Sequence, residues 1–411
     1  QSRSSAASDV YKRQGMGCGT SKGATAVALD ALKNADLIIG APRLLEDLGD
    51  EFEARKVPAI LAKEIAQVID AEGDEKLKSV AIAYSGDSGF YSGCRSLLPL
   101  LEGKGAEVQV LPGISSVQML SARLQRPWHD WNLFSAHGVD CSAVTALLKG
   151  KPAYFLTGGA LKPKNLCMEL TEAGLGDHEV TIAERLSYSD EHIWHGKASD
   201  FVDQDFDTLA VVLCEKLEIK PRRTSGFDDE SFTRGKVPMT KQEVRSVILS
   251  KLGIKEGETV WDVGAGTGSV SVEMALAASE GKVYAIECVP EGCELNDINR
   301  KKLGAWNLKV IEGKAPEALE GLPAPDAVFI GGTRGNMSPI LEFIKEKNSE
   351  ARICISAIAI ESLGEATTEL ARLGYDVSIT QVSFSNDRPV GKLHMMIGGN
   401  PIFIVMGTPV R

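Results

Sequence analysis

The sequence predicts an α/β fold in two domains, and the second domain is expected to hold a doubly wound, seven-stranded sheet. The chain has 411 residues, which is more than one ordinary core accommodates. Short apolar runs alternate with amphipathic stretches on both sides of a charged segment that contains Pro and Gly, residues 218–235. We therefore expect domains at 15–217 and 236–411, joined by a linker at 218–235.

Apolar runs in the first half each end in a turn and predict strands of one open sheet covered by helices. They are ADLIIGAPRLL, SVAIAYSGDSGF, EVQVLPGISS, PAYFLTGG and DTLAVVLCE. Residues 1–14 are polar, show no periodic pattern of apolar residues, and end at the glycine-rich turn GMGCG of Gly15–Gly19. We expect residues 1–14 to be a non-native or disordered leader, with the opening strand of the domain lost or replaced.

The second half contains a longer series of strand candidates, with helices such as KQEVRSVILSKL between the earlier ones. The candidates are TVWDVGAG, KVYAIECV, LKVIEG, DAVFIGG, ARICISAI, DVSITQVSFS and NPIFIVMG. The last strands lie close together along the chain. This order predicts a doubly wound sheet with an antiparallel edge.

Composition excludes several classes of protein. No apolar run is long enough to cross a membrane, and a net charge of -11 argues against a broad nucleic-acid surface. Eight cysteines without a CxxC pair favour buried thiols over a zinc site. His192 and His195 have no third ligand nearby in the sequence, so a polar surface strand is favoured over a metal site. We expect a cytoplasmic protein without a metal.

The sharpest motif is VWDVGAGTGS, in which a buried strand ends in Gly264, Gly266 and Gly268 before a helix. Glycines there let the backbone approach a ligand closely, and Glu287 ends the next strand, where it can accept hydrogen bonds from ribose hydroxyls. The G-x-G-x-G spacing resembles the first motif of Rossmann-like methyltransferases. A purely structural turn is the alternative interpretation.

Further ligand loops are predicted in both halves. Arg334 follows the DAVFIGG strand on the expected substrate side, although a solvated loop arginine is an equal alternative. In the first half, Gly86 and Asp87 form a turn after a strand, and Ser115 and Ser116 precede a helix. The two serines could bind a carboxylate or only cap the helix. His137 and His394 are interpreted as structural.

The first half resembles the tetrapyrrole methylase family, in the subgroup that methylates carbon 5 of the corrin precursor. The likeness is carried by RLL at Arg43–Leu45, SGDSGFY, PGISSVQ, PWHDW at Pro127–Trp131, HG at His137–Gly138 and AERLSYSDEHI at Ala183–Ile193. Ser88 stands where the family often has proline after Gly-Asp. The family's opening turn survives only as GMGCG.

The second half resembles the precorrin-8w decarboxylase/carbon-15 methyltransferase family through PMTKQEVR, VWDVGAGTGSVSVE and FIGGTRGNM. The resemblance implies a Rossmann-like class I methyltransferase domain fused to the tetrapyrrole methylase domain, with S-adenosylmethionine as cofactor of both. It also implies methylation of a precorrin at carbons 5 and 15 and decarboxylation of its carbon-12 acetate. The cofactor positions that the resemblance implies are Thr240, Gly264, Ala265, Gly266, Thr267, Gly268, Glu287 and Ala315. In the first half, the composition of the two loops makes Gly86, Asp87, Ser115 and Ser116 the candidate cofactor-binding residues.

The sequence does not identify a general acid or base. From position alone, Arg334, Arg388 and Lys392 are candidates to bind the carboxylates of a precorrin or cobalt-precorrin. We expect a homo-oligomer that binds neither nucleic acid nor membrane. Two rival functions are a transfer-RNA methyltransferase and a non-catalytic S-adenosylmethionine-binding regulatory protein.

Overall fold

The computed structural model describes residues 10–15, 23–50, 52–72, 79–102, 107–135, 141–158, 161–218 and 225–410. These residues fall into two compact units. Unit 1 holds the described residues up to 141, together with 151–158, 161–168 and 178–215. Unit 2 holds 142–150, 169–177 and the described residues from 216 onwards.

The strands of unit 1 form two five-stranded sheets, so the prediction of one open sheet was wrong. The strands are β1 Val10–Gly15, β2 Leu37–Gly40, β3 Arg55–Pro58, β4 Ser79–Tyr84, β5 Glu107–Leu111, β6 Asn132–Ser135, β7 Ala153–Leu156, β8 Glu179–Glu184, β9 His192–Lys197 and β10 Ala210–Cys214. The first sheet is parallel, with the order β3-β2-β4-β1-β5. The second has the order β6-β7-β10-β8-β9, and only β6 and β7 are parallel.

Residues 10–14, predicted to lie in a leader, instead belong to β1. This strand pairs with β4 on one side and with β5 on the other. The prediction failed because VYKRQG lacks the continuous apolar run expected of a central parallel strand. Residues 1–9 and the rest of the glycine-rich turn after Gly15, Met16–Gly19, lie outside the described residues.

The helices up to residue 170 are short. They are α1 Ala26–Lys33, α2 Pro42–Asp47, α3 Ala62–Glu72, α4 Cys94–Leu101, α5 Ser116–Arg123, α6 Ala143–Leu147 and α7 Pro163–Leu170. One buried cluster joins α3 and α4 to the parallel strands through Ile65, Leu97 and Ile82. No helix in the described part of the chain is long and apolar enough to cross a membrane.

Unit 2 contains the predicted seven-stranded sheet, and all seven strand candidates are confirmed. Its strands are β11 Thr259–Val263, β12 Lys282–Glu287, β13 Leu308–Glu312, β14 Ala327–Ile330, β15 Arg352–Ala357, β16 Tyr375–Val382 and, after a hairpin of β17 Ser385–Val390 and β18 Leu393–Gly398, β19 Ile402–Pro409. The order is β13-β12-β11-β14-β15-β19-β16. β19 is antiparallel to both of its neighbours, which confirms the antiparallel edge.

Helices pack on both faces of this sheet, and two buried clusters form the core. The helices are α8 Gln242–Leu252, α9 Ser269–Ala277, α10 Pro290–Leu303, α11 Met337–Lys347 and α12 Ile360–Arg372. The β17–β18 hairpin was not predicted. All residues of its two strands are exposed, so they do not show the alternation of buried and exposed residues that marks a strand.

The segment predicted as a linker differs from that prediction in its second part. Phe232 is only 4% exposed and packs in the core of unit 2. The backbone N–H groups of Gly226 and Phe227 donate to the Glu273 carboxylate at 2.6 and 3.1 Å. One buried aromatic residue and hydrogen bonds to a charged side chain do not produce a periodic pattern of apolar residues. The sequence pattern therefore could not distinguish this segment from a linker.

Candidate functional site

A cavity of about 270 Å³ lies in unit 2 at the carboxyl ends of β11, β12 and β14. Ligands of open α/β sheets bind at this edge. The cavity wall contains seven residues that the sequence singled out: Thr240, Gly264, Ala265, Gly266, Glu287, Ala315 and Arg334. The structure therefore brings most of the predicted C-terminal site together in one place.

Two glycines of the predicted loop have different surroundings. Gly266 and Gly268 both have left-handed backbone angles, with φ of +57° and +77°. A Cβ on Gly266 would lie 2.8 Å from the carbonyl oxygen of Pro238, which is also on the cavity wall. A Cβ on Gly268 would collide with the side chain of Asn296 on α10. Gly266 thus allows the glycine loop to lie close to Pro238 on the cavity wall. Gly268 and the buried Thr267 are not on the wall, and Gly268 allows close packing against α10.

Glu287 is 7% exposed and holds the glycine loop through its carboxylate. Its Oε2 accepts a hydrogen bond from the Gly266 N–H at 2.8 Å. Its Oε1 accepts from the N–H groups of Cys288 and Val289, both at 2.8 Å. A carboxylate has about four acceptor positions, so Oε2 retains capacity for a ligand hydroxyl.

A buried arginine fixes another part of the wall, residues 237–240. Arg245 on α8 is fully buried and donates to the carbonyl oxygen of Thr240. Its guanidinium also pairs with Asp229 at 2.8 Å and with Glu273 at 2.9 Å. Because a buried charge is costly unless it is fully paired, this network holds Thr240 in place. Sequence reasoning missed it, and the only signal was an arginine within an apolar helix face.

Asp262 is a fully buried carboxyl two residues before the glycine loop. Burial raises its pKa to about 7, the hydroxyl of Ser271 opposes that rise by donating to Oδ2, and the charge of Glu287 adds to it. Among the described residues, Oδ1 has no hydrogen-bond partner. The carboxyl therefore titrates near neutral pH inside the core of unit 2.

Two of the three predicted carboxylate-binding residues lie elsewhere. Arg388 is on β17 and Lys392 is in the following turn, both exposed and neither on the cavity wall. Lys314 is on the wall and was missed. Its signal was its place in the EGKAP turn after a strand, directly before Ala315.

A second cavity, of about 440 Å³, lies in unit 1, and Gly86, Ser115 and Ser116 are on its wall. Asp87 is not. Its Oδ1 accepts from the N–H of Gly89 at 2.8 Å, and its Oδ2 accepts from that of Gly113 at 3.1 Å. Asp87 therefore joins the two predicted ligand loops to each other.

The two serines are engaged within the protein. The Ser115 N–H and hydroxyl both donate to Oε1 of Gln118, at 2.8 and 3.2 Å, as in a capped helix. The Ser116 hydroxyl accepts from the hydroxyl of Tyr154 at 2.7 Å. Their side chains are thus used for capping and packing, and cofactor binding by these two wall residues stays a prediction. His137 lies outside the described residues.

Comparisons with known proteins match each half of the chain to a family. Residues 15–202 match the family described as Tetrapyrrole (Corrin/Porphyrin) Methylases, and residues 230–407 match the Precorrin methyltransferase domain. A cobalt-precorrin-6B C(15)-methyltransferase (decarboxylating) from Salmonella typhimurium is 37% identical over 180 residues, which are 43% of this chain and 93% of that protein. The chain belongs to the precorrin methyltransferase family.

Relatives of this precorrin methyltransferase also include a longer protein. A precorrin-6Y C(5,15)-methyltransferase [decarboxylating] from Sinorhizobium is 29% identical over 369 residues, which are 88% of this chain and 87% of that protein. A crystal structure of precorrin-6Y C5,15-methyltransferase from Geobacter metallireducens is 35% identical, with a TM-score of 0.44, and covers 46% of this chain and 97% of its own.

Proposed function

We propose that this methyltransferase transfers methyl groups from S-adenosylmethionine to carbons 5 and 15 of a precorrin or cobalt-precorrin and decarboxylates the carbon-12 acetate. The observation that carries the proposal is the presence of two separate cavities, one within each unit and each bordered by its own strand-end turns. The Sinorhizobium relative, whose name includes both positions, spans most of the chain.

The residues of the C-terminal cavity fit S-adenosylmethionine. The Gly266 position has no room for a side chain, and Glu287 retains an acceptor position on Oε2. In this assignment Glu287 binds the ribose hydroxyls, the backbone at Ala315 meets the adenine edge, and residues 264–266 meet the methionine part. When bound, the cofactor supplies a methyl group carried on a sulfonium.

The protein's own contribution is positioning. Methyl transfer is an in-line displacement, so the wall must hold the nucleophilic ring carbon in near-attack geometry, and no covalent enzyme nucleophile is needed. Arg334 and Lys314, both on the wall, are placed to bind carboxylates of the ring periphery. Breaking the bond to the acetate carboxyl leaves an electron pair that the conjugated ring absorbs, and a proton completes the new methyl substituent.

The rival functions predict different products. A transfer-RNA methyltransferase would need a basic surface, which a net charge of -11 does not favour. A regulatory protein would bind the cofactor without turnover. Incubating the full chain with S-adenosylmethionine and either precorrin-6B or its cobalt form, followed by mass spectrometry, should show two methyl groups gained and one carbon dioxide lost. Cofactor binding with unchanged substrate mass would contradict the proposal.

A further inference from the structure

The charged side chains on the wall of the unit 1 cavity are both arginines. Among the described residues of this wall, Arg43 and Arg185 are charged and all the others are neutral. The neutral part combines hydroxyl groups with apolar side chains such as Ile60, Leu156 and Leu186. A wall of this composition suits a flat conjugated ring that carries carboxylates on its edge.

The two arginines come from distant segments and meet on one tyrosine. Arg43 donates a hydrogen bond to the hydroxyl of Tyr188, although 145 residues separate them. The guanidinium of Arg185 lies 4.8 Å from the centre of the Tyr188 ring. The tyrosine hydroxyl donates in turn to Asp47 at 3.0 Å. Tyr188 therefore holds both guanidinium groups on the same wall.

The acids that pair with these arginines are not on the wall. Asp190 and Asp207 lie 2.7 and 3.6 Å from Arg185, and Asp47 lies 3.9 Å from Arg43. None of the three carboxylates lines the cavity. These ion pairs use Nε and Nη1 of Arg185 and Nη1 of Arg43, and the hydrogen bond to Tyr188 also uses Nη1 of Arg43, so none of these contacts uses Nη2 of either arginine. Each guanidinium thus keeps donors for a ligand.

The backbone around Arg185 is held in an uncommon conformation. Its φ is +50°, in the left-handed region that residues other than glycine rarely adopt. The Arg185 N–H donates to the carbonyl oxygen of Leu209, and the Arg185 carbonyl accepts from the Tyr188 N–H, both at 3.0 Å. Such strain persists where the surrounding structure enforces it, and it is concentrated at binding sites.

We propose that Arg43 and Arg185, joined by Tyr188, form the subsite that binds carboxylates of the tetrapyrrole in the unit 1 cavity. This inference rests on the proposed function, since it assigns the substrate-recognising cations of the carbon-5 reaction. It also gives a role to RLL and AERLSYSDEHI, two motifs that the sequence analysis left without one.

The test is a fluorescence titration of the full chain with uroporphyrin III, a stable tetrapyrrole that carries acetate and propionate groups. Arg43→Gln and Arg185→Gln should each raise its Kd by about tenfold, since each removes a charged hydrogen-bond donor. Arg95→Gln is the control for net charge, because Arg95 on α4 is exposed and is not among the residues of the wall. Binding at the unit 2 cavity contributes equally to every variant, so the differences between variants report on unit 1.

Asp190→Asn separates ligand binding from a structural role, because it breaks the same ion pair but leaves the guanidinium on the wall. It should bind uroporphyrin III as tightly as Arg95→Gln does, and Arg185→Lys should recover part of the lost affinity. If Arg43→Gln and Arg185→Gln bind as tightly as the control, or if Asp190→Asn loses as much affinity as Arg185→Gln, the inference is overturned. Transfer of a ¹³C-methyl label to carbon 5 tests the proposed function separately: binding through the two arginines without that transfer would contradict the function and support the subsite.

Discussion

The cavities of unit 1 and unit 2 differ in the types of residue that form their walls. The unit 2 cavity has five glycines on its wall, together with one buried acid: Gly264, Gly266, Gly313, Gly331 and Gly332, with Glu287. The wall of the unit 1 cavity has two arginines and several aromatic and hydroxyl side chains. A Cβ on Gly264 or Gly266 would collide with backbone, whereas the side chains of the unit 1 wall can be altered one contact at a time. We therefore expect sharp losses in unit 2 and graded ones in unit 1.

The largest expected effect is at Gly266. Gly266→Val should abolish S-adenosylmethionine binding in unit 2, because the side chain would meet the Pro238 carbonyl and the residue has a left-handed φ. Calorimetry on the full chain should then show one binding site per chain instead of two. Gly257→Val is the matched control, since a Cβ there has open space around it. Two intact sites in Gly266→Val would remove the loop from the cofactor site.

The next effect concerns where the second domain begins. A fragment of residues 225–411 should decarboxylate the substrate and methylate carbon 15 on its own. A fragment of 236–411 should be less stable by about 3 kcal/mol or more, because it lacks Phe232 from the core and leaves Arg245 without Asp229.

Thermal unfolding of the two fragments and mass spectrometry of their products would measure the difference. Equal stability and equal activity would show that residues 225–235 are a linker after all. An unchanged substrate mass with both fragments, beside full activity of the whole chain, would mean that the two reactions are not separable.

A smaller effect is expected at Glu287. Glu287→Ala should weaken S-adenosylmethionine binding in unit 2 by about 1–3 kcal/mol, because the ribose loses a charged acceptor and the Gly266 N–H loses its partner. Titration calorimetry would measure the change, with Glu294→Ala on the exposed side of α10 as control. An affinity equal to that of the control would exclude Glu287 from the site.

The last effect is on stability alone, as a pH dependence that comes from Asp262. Its pKa is about 7 in the folded protein against an ordinary 3.8, so folding favours the protonated form and the carboxyl destabilises the fold increasingly as the pH rises from about 4 to about 7. Asp262→Asn should therefore gain stability relative to the natural protein across this range, with little difference below it. Melting temperatures at a series of pH values would show this, and a constant difference would contradict the raised pKa.

Prediction from sequence was most successful where a structural feature is formed by residues that are contiguous in the chain. The seven strands of unit 2 were each marked by an apolar run, and VWDVGAGTGS placed a strand, a turn and a helix in direct succession. Glu287 followed because parallel neighbours β11 and β12 end at the same edge. In unit 1 the four-residue strands β3 and β6 were not predicted, because they are too short to show a hydrophobic period, whereas β9 confirms the polar strand predicted at His192 and His195.

The sequence by itself determined the two-part α/β organisation, the family and the glycine loop with its acid, because periodicity and local turn chemistry are properties of contiguous residues. Only the tertiary structure decided that Gly266 lines a cavity while Gly268 packs on α10, and that Arg245 holds Thr240 from within the core. It also decided that Arg43 and Tyr188 meet, since a contact across 145 residues leaves no local pattern to detect.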